Sequence, residues 1–258
     1  MEGHKARTLD RLSARLKGRT AWISGGKRIG QVVARALAEQ GVNIVACYRS
    51  SAKEASQIVA EARKLGRKAL AVQADAGNPQ QMERAVRQAS KTFSKFDILI
   101  NMASVFSRVK FEDITAADWQ SNIDAHILGT FWPARFLAPR MSPGAHIINI
   151  ADRTSLGKVF PDYLPYVVTK QAVQGLTRAL AVELAPKGIF VNAIAPGPIL
   201  KPQDISQKDW NAFRSRSRIK FPVTDAEATE QFALLVIYLS LVTLTSGNTY
   251  SLDQGHNL

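Results

Sequence analysis

The sequence predicts a single doubly wound α/β domain, Rossmann-like, built on a parallel sheet. Three observations predict it. Six apolar, β-branched stretches are bounded by turn residues, and segments of helical spacing separate them. The chain has 258 residues, of which 46% are apolar, which suits one domain with one large core. Parallel strands need crossover connections, and the strict alternation of strand and helix supplies them.

Strands are expected at 20–24, 43–48, 68–73, 96–101, 145–150 and 189–194. Helices are expected between and after them, at 29–40, 52–65, 79–93, 116–137, 165–184 and 226–241. Pro196-Gly197-Pro198 reads as a loop, and no internal repeat, low-complexity tract or linker divides the chain. The first 18 residues carry Lys5, Arg7, Arg11, Arg15 and Lys17 against Glu2 and Asp10. They read as a basic lead-in (1–18) to a domain spanning 19–258, since no apolar core marks a secretion signal.

A lone cysteine, Cys47, rules out an internal disulfide framework and suits a reducing cytoplasm, the expected location. The longest apolar run, 232–244, falls short of the roughly 20 residues of a membrane span, so no membrane partner is expected. A net charge of +13 predicts attraction to anions. No nucleic-acid module or aromatic-basic interleaving accompanies it, so the expected partner is a small molecule. No metal site is expected.

Immediately after the first strand, Ser24-Gly25-Gly26-Lys27-Arg28-Ile29-Gly30 opens the first helix. Glycines there let backbone approach a pyrophosphate, and the helix amino terminus offers N–H donors. The second strand ends in Tyr48-Arg49-Ser50-Ser51, with no acidic side chain to hold a free ribose 2′-hydroxyl. Arg49, with Ser50, suits a 2′-phosphate instead, which favours NADPH (NADP) over NADH. Lys27 and Arg28 add nearby cations or form a solvated turn. Tyr166 and Lys170 stand four apart, so one helical face carries phenol and ammonium. A cation beside a phenol favours the phenolate, making a group of ordinary pKa about 10 a usable acid nearer neutrality.

The glycine turn, Asn101-Met102-Ala103-Ser104, the Tyr166/Lys170 pair and Pro196-Gly197, in that order, resemble the short-chain dehydrogenase/reductase family from about residue 19 to 257. Within it the chain looks most like the pteridine reductase branch. Lys-Arg-Ile-Gly at 27–30, Val72-Gln73-Ala74-Asp75, and Ile150-Ala151-Asp152 carry this likeness, Asp152 standing where most relatives have a catalytic serine. The resemblance implies that Tyr166 donates a proton while Lys170 lowers its pKa and binds the nicotinamide ribose. Asp152 would help hand a proton to nitrogen of a C=N bond. Ser24, Gly25, Lys27, Arg28, Ile29, Gly30, Arg49 and Ser50 would hold the phosphates and Asp75 and Ala76 the adenine. Asn101 and Ala103 would line the cofactor channel, and Pro196, Gly197 and Ile199 would hold the carboxamide. Arg28, Ser104 and Phe106 would meet the substrate. Phe106 reads either as a stacking face or as plain core.

Some positions depart from the family pattern. The glycine turn is one residue short, Met102 replaces a second asparagine, and 152–166 is about one residue long. His126 stands where the family has an asparagine supporting a water relay. It reads as a proton-handling substitute or as a helix-packing histidine. A lid is expected around 200–222, where alternating Arg and Ser at 214–218 would guide an anionic tail or form a solvated face.

The expected function is NADPH-dependent reduction of a C=N or C=O bond in a small anionic substrate, with a pterin or folate first. The alternatives are a 3-oxoacyl-thioester or other carbonyl ketoreductase, and a non-catalytic cofactor-binding or scaffold protein. By resemblance, long helices at 116–137 and 165–184 would pair across a two-fold interface in a homotetramer.

Overall fold

The computed structural model describes residues 14–25, 27–201 and 205–258. Most of the lead-in, Gly26 of the glycine turn and 202–204 of the expected lid lie outside the described residues. Seven strands run in chain order: β1 (Thr20–Ser24), β2 (Asn43–Tyr48), β3 (Ala69–Gln73), β4 (Phe96–Asn101), β5 (Met141–Ile150), β6 (Phe190–Pro196) and β7 (Thr249–Leu252). They form one parallel sheet in the order β3-β2-β1-β4-β5-β6-β7. Chain order reverses between β1 and β4, which opens a crevice at the carboxyl ends of the strands.

The helices are α1 (Ile29–Glu39), α2 (Ala52–Lys64), α3 (Pro79–Ala89), α4 (Ala116–Asn122), α5 (Gly129–Leu137), α6 (Leu164–Leu184), α7 (Gln207–Arg214) and α8 (Asp225–Leu239). Successive strand side chains point to opposite faces, so two cores form. Ile23, Ile44 and Ile100 pack with Leu37 of α1, Ile58 of α2 and Phe232 of α8. Trp22, Val45 and Leu99 pack on the other face with Met82 of α3, Leu137 of α5 and Leu180 of α6. Side-chain caps fix several helix starts: Asn78 accepts from the Gln81 N–H, and Thr115/Asp118 and Thr224/Glu227 form capping boxes.

Four features differ from the expectation. The helix expected at 116–137 is interrupted by a π-helical segment, Ile123–Leu128, which holds His126. β5 begins at Met141 because Pro143 and Gly144 sit within it, and its pairing with β4 shifts register between Phe96 and Ile98. β7 was not expected, being a four-residue edge strand whose side chains are only partly buried. Helix α7 fills the expected lid. No helix among the described residues is long and apolar enough to cross a membrane.

Candidate active site

The turn from β1 into α1 owes its shape to glycines with no room for a side chain. Gly25 has φ of 88°, and a Cβ there would lie 2.7 Å from the Ala103 nitrogen; one on Gly30 would lie 2.6 Å from the Gly25 oxygen. Arg28 is the N-cap of α1 with φ 53° and ψ −97°, a rare backbone for any residue but glycine, and no side chain caps the helix. An uncapped helix end is electropositive and suits a phosphate. This turn forms one wall of a cleft of about 530 Å³, lined also by Arg49, Ser50, Asp75, Ala76, Ala103 and Pro196. Arg49 pairs with Asp75 at 3.6 Å on the rim, with the arginine side chain 65% exposed. It is therefore accessible to a competing anion. The Arg28 guanidinium donates to the Lys201 carbonyl, bridging the glycine turn to the start of the lid.

Some expected cofactor residues face elsewhere. Asn101 is buried, donating to the Thr130 carbonyl at 3.3 Å and to Asn149 Oδ1 at 3.0 Å. It ties β4 to β5 and does not line the channel. Ile199 belongs to the core with α8. A side chain on Gly197 would meet Asp253 Cα at 2.7 Å, and its N–H donates to the Leu252 carbonyl, so this glycine lets the loop after β6 pass β7.

At the other side of the crevice, the four expected catalytic residues converge. Tyr166 near the start of α6 donates its hydroxyl to Asp152 Oδ2 at 2.8 Å. Asp152 ends the loop after β5 and accepts on Oδ1 from both the N–H and the hydroxyl of Thr154, each at 2.8 Å. Lys170, one turn beyond Tyr166, donates to the Ile150 carbonyl at 2.8 Å, with its ammonium 5.8 Å from the phenol ring centre. The His126 ring packs edge-on against Tyr166 at 5.4 Å.

The electrostatics correct the expectation that Lys170 lowers the tyrosine pKa. Burial, then the Asp152 charge and hydrogen bond, push Tyr166 well above the usual phenol value, and the cation that opposes this is Arg153. Burial lowers Lys170 to about 8, against a raising influence from Asp152. Tyr166 is thus a neutral phenol at neutrality, which is the form able to give a proton. Burial and then Lys170 lower His126 to about 3. Its Nε2 accepts from the Val105 N–H at 3.3 Å and lies 2.9 Å from Ser104 Oγ, while Nδ1 lies 2.8 Å from Thr169 Oγ1. Because the Thr169 hydroxyl donates to the Pro165 carbonyl at 2.7 Å, the proton on the ring belongs on Nδ1. Both nitrogens are engaged, and the ring is a neutral brace between α6 and the loop after β4, not a titrating relay.

An aromatic wall closes this side. Phe106, 52% exposed, stacks on Tyr163 at 4.6 Å and meets Tyr166 edge-on at 4.8 Å. One face is thereby occupied by protein, and only the other is open to a ligand. Arg108 pairs with Asp162 at 2.6 Å, joining the loop after β4 to the loop before α6. In the lid, Asp225 accepts from Trp210 Nε1 and from Arg214, each at 2.9 Å, fastening α7 to α8. Arg214 is thus neutralised, which removes it from the expected row of free lid cations.

Sequence reasoning missed Arg153, Phe160, Phe213 and His256, which meet beside Asp152 from three distant segments. No local spacing marks them.

A dinucleotide-type crevice facing a Tyr-Lys-Asp cluster across one sheet edge defines an oxidoreductase architecture. Residues 25–257 match the family model described as Enoyl-(Acyl carrier protein) reductase. The chain is 31% identical to the uncharacterized oxidoreductase YhxC of Bacillus subtilis, over 93% of this chain and 85% of that protein. It is 31% identical to an L-rhamnose 1-dehydrogenase (NADP(+)) of Thermoplasma acidophilum, over 79% of this chain and 82% of that protein. A short-chain dehydrogenase from Burkholderia cenocepacia solved in complex with NADP superposes with a TM-score of 0.86 and 29% identity, covering 95% of this chain and all of that one. The chain belongs to the short-chain dehydrogenase/reductase family of oxidoreductases.

Proposed function

We propose that this protein is an NADPH-dependent reductase of a C=N or C=O bond in a small anionic substrate, with a dihydropterin or folate as the first candidate. The observation that carries the reading is the hydrogen bond from Tyr166 to Asp152, 2.8 Å, with Lys170 one turn behind. The cleft beside β1 and β2 fits the cofactor: Gly25 and Gly30 leave a cradle that a Cβ would fill, and Arg49 stands exposed on its rim. Similarity to an NADP(+)-dependent dehydrogenase and to a relative solved with NADP supports the same cofactor. Bound NADPH supplies the hydride.

The protein's own residues supply the proton and the geometry. Tyr166 gives its hydroxyl proton to the nitrogen or oxygen of the bond being reduced, and Lys170 stabilises the negative charge left behind. Burial, then the Asp152 charge and hydrogen bond, disfavour the tyrosinate, so Tyr166 is held in its protonated form and Lys170 must offset the charge as the proton leaves. Asp152 accepts the phenol hydrogen bond and holds that proton in place until it transfers. The lid around 200–222 covers this site, and the protein acts in the cytoplasm. Exposed Val168 and Val182 on α6 support pairing of that helix with a second copy in a homotetramer.

Purified protein mixed with NADPH and 7,8-dihydrobiopterin is expected to lose absorbance at 340 nm. NADPH binding without oxidation by any dihydropterin sinks the pterin assignment. The second reading, a carbonyl reductase, is favoured by the similarity to an L-rhamnose 1-dehydrogenase. Turnover of a ketone or ketoacyl thioester alone would select it.

A further inference from the structure

Arg153 is a mostly buried cation whose guanidinium has no hydrogen-bond or salt-bridge partner among the described residues. It follows Asp152 in the short 3-10 turn Arg153–Ser155 and is 7% exposed. Its guanidinium carbon lies 5.3 Å from the centre of the Phe160 ring and 5.4 Å from that of Phe213. One ring comes from the loop before α6 and the other from lid helix α7. The guanidinium makes no hydrogen bond or ion pair with any described residue. Its nitrogens are not among the fully buried unpartnered atoms of the described residues, so this plane of five N–H donors near Tyr166 keeps accessible edges for a ligand.

Carboxylates of the protein do not fill these edges. Asp152 and Asp253 are within electrostatic reach, but both are engaged elsewhere. Asp152 holds Thr154 and Tyr166, and Asp253 accepts the N–H groups of Gly255 and Asn257. More unmet nitrogen gathers on the same phenylalanine. His256 is 6% exposed, its ring lies 5.5 Å from that of Phe213, and its Nε2 is buried without a hydrogen-bond partner among the described residues. Arg216 covers the Phe213 ring at 5.9 Å from the solvent side.

We infer that Arg153 is the carboxylate anchor of the substrate site. Its flat guanidinium, steadied by Phe160 and Phe213, takes the carboxylate of a substrate whose reducible bond lies at Tyr166. A planar fork matches a carboxylate bidentately, and stacking on rings leaves its edge free to do so. Asp152 and Tyr166 lie within electrostatic reach of the guanidinium, so the anion sits on the reacting side of the substrate. An oxo acid or imino acid fits, or a pterin bearing a carboxylate. Since Phe213 belongs to the lid, occupation of the anchor also fixes α7 over the substrate. This inference rests on the reductase reading for the position of the reacting bond.

The test uses a matched acid and ester, benzoylformate and ethyl benzoylformate, with the NADPH-saturated protein. Affinity is read from calorimetry and thermal shift, and NADPH oxidation is followed in the same samples. The wild type is expected to bind the acid at least tenfold more tightly than the ester. Arg153→Met is expected to abolish that preference while leaving NADPH affinity unchanged. Wild type that does not prefer the acid overturns the anchor, as does a preference that survives in Arg153→Met. If Arg153→Met does not fold, Arg153→Lys decides: a weaker hold on the acid alone supports the anchor, and wild-type affinity overturns it. Acid binding with no NADPH oxidation by either probe or by a dihydropterin would sink the reductase reading and leave the anchor standing. Equal binding and equal reduction of acid and ester would do the reverse.

Discussion

The two halves of the sheet's carboxyl edge are built in different ways. On the β1–β3 side, the cleft is built around a glycine turn read directly off β1, the uncapped start of α1 and Arg49 at the tip of β2, with Ala103 and Pro196 from later loops closing it. Backbone dominates there, and the space denied to a Cβ at Gly25 and Gly30 sets its shape. On the β4–β6 side, Asp152, Tyr166, His126, Phe106 and Phe213 arrive from five separate segments. Side chains and their hydrogen bonds dominate there. The difference teaches that the cofactor cleft is shaped mainly by local backbone, whereas the candidate catalytic cluster is assembled from side chains at long range.

Tyr166→Phe should separate the halves most sharply. Turnover is expected to fall at least about 100-fold, the scale of a lost general acid. NADPH affinity, measured by quenching of tryptophan fluorescence, should stay within about twofold. Undiminished turnover would remove the tyrosine from the acid role.

Arg49→Ala acts on the other half. It should weaken NADPH about tenfold, the loss of one charge-assisted phosphate contact, and leave NADH nearly unchanged. Equal losses for both nucleotides would refute recognition of the 2′-phosphate by Arg49.

The pH profile sharpens the contrast within the catalytic half. Lys170 is lowered to about 8, so its charge is present below that pH and lost as pH rises through it. The rate of reduction should therefore fall above about pH 8. His126, lowered to about 3, stays neutral across the working range and should add no inflection near the usual histidine value. A step near pH 6.5 that disappears in His126→Asn would contradict the neutral brace.

Asp225→Ala gives the smallest effect. It removes the acceptor shared by Trp210 and Arg214 and should destabilise the lid by about 1–3 kcal/mol, seen as faster proteolysis within 201–222. NADPH affinity should hardly change. Unchanged proteolysis would show that α7 is held by its aromatic contacts alone.

Much of this was legible in the sequence, unevenly and for physical reasons. The first six strands and most helices follow hydrophobic period, which a doubly covered parallel sheet writes plainly. β7 was not legible, because a four-residue edge strand has too few side chains to show a period. The π segment at Ile123–Leu128 was hidden in a continuous helical pattern, since one extra residue in a turn leaves no mark in composition. Tyr166, Lys170 and Asp152 were singled out from motif and order and lie together in the structure, yet the direction of the tyrosine shift was not legible. Burial and the partner on its hydroxyl set that direction, and neither is a property of the spacing 166/170. Asn101 was read as a channel residue because its place in the motif is right, while its side chain is fully used between β4 and β5. Arg153 was passed over because its meaning depends on Phe213, 60 positions away in the chain.

The account stands on the local half seating a phosphorylated nicotinamide nucleotide within reach of the long-range half. Calorimetric titration of the wild-type protein with NADPH, then with NADH, tests this most directly. One NADPH per chain, bound about tenfold more tightly than NADH, is the predicted result. No saturable binding of either nucleotide, or equal affinity for the two, would contradict it.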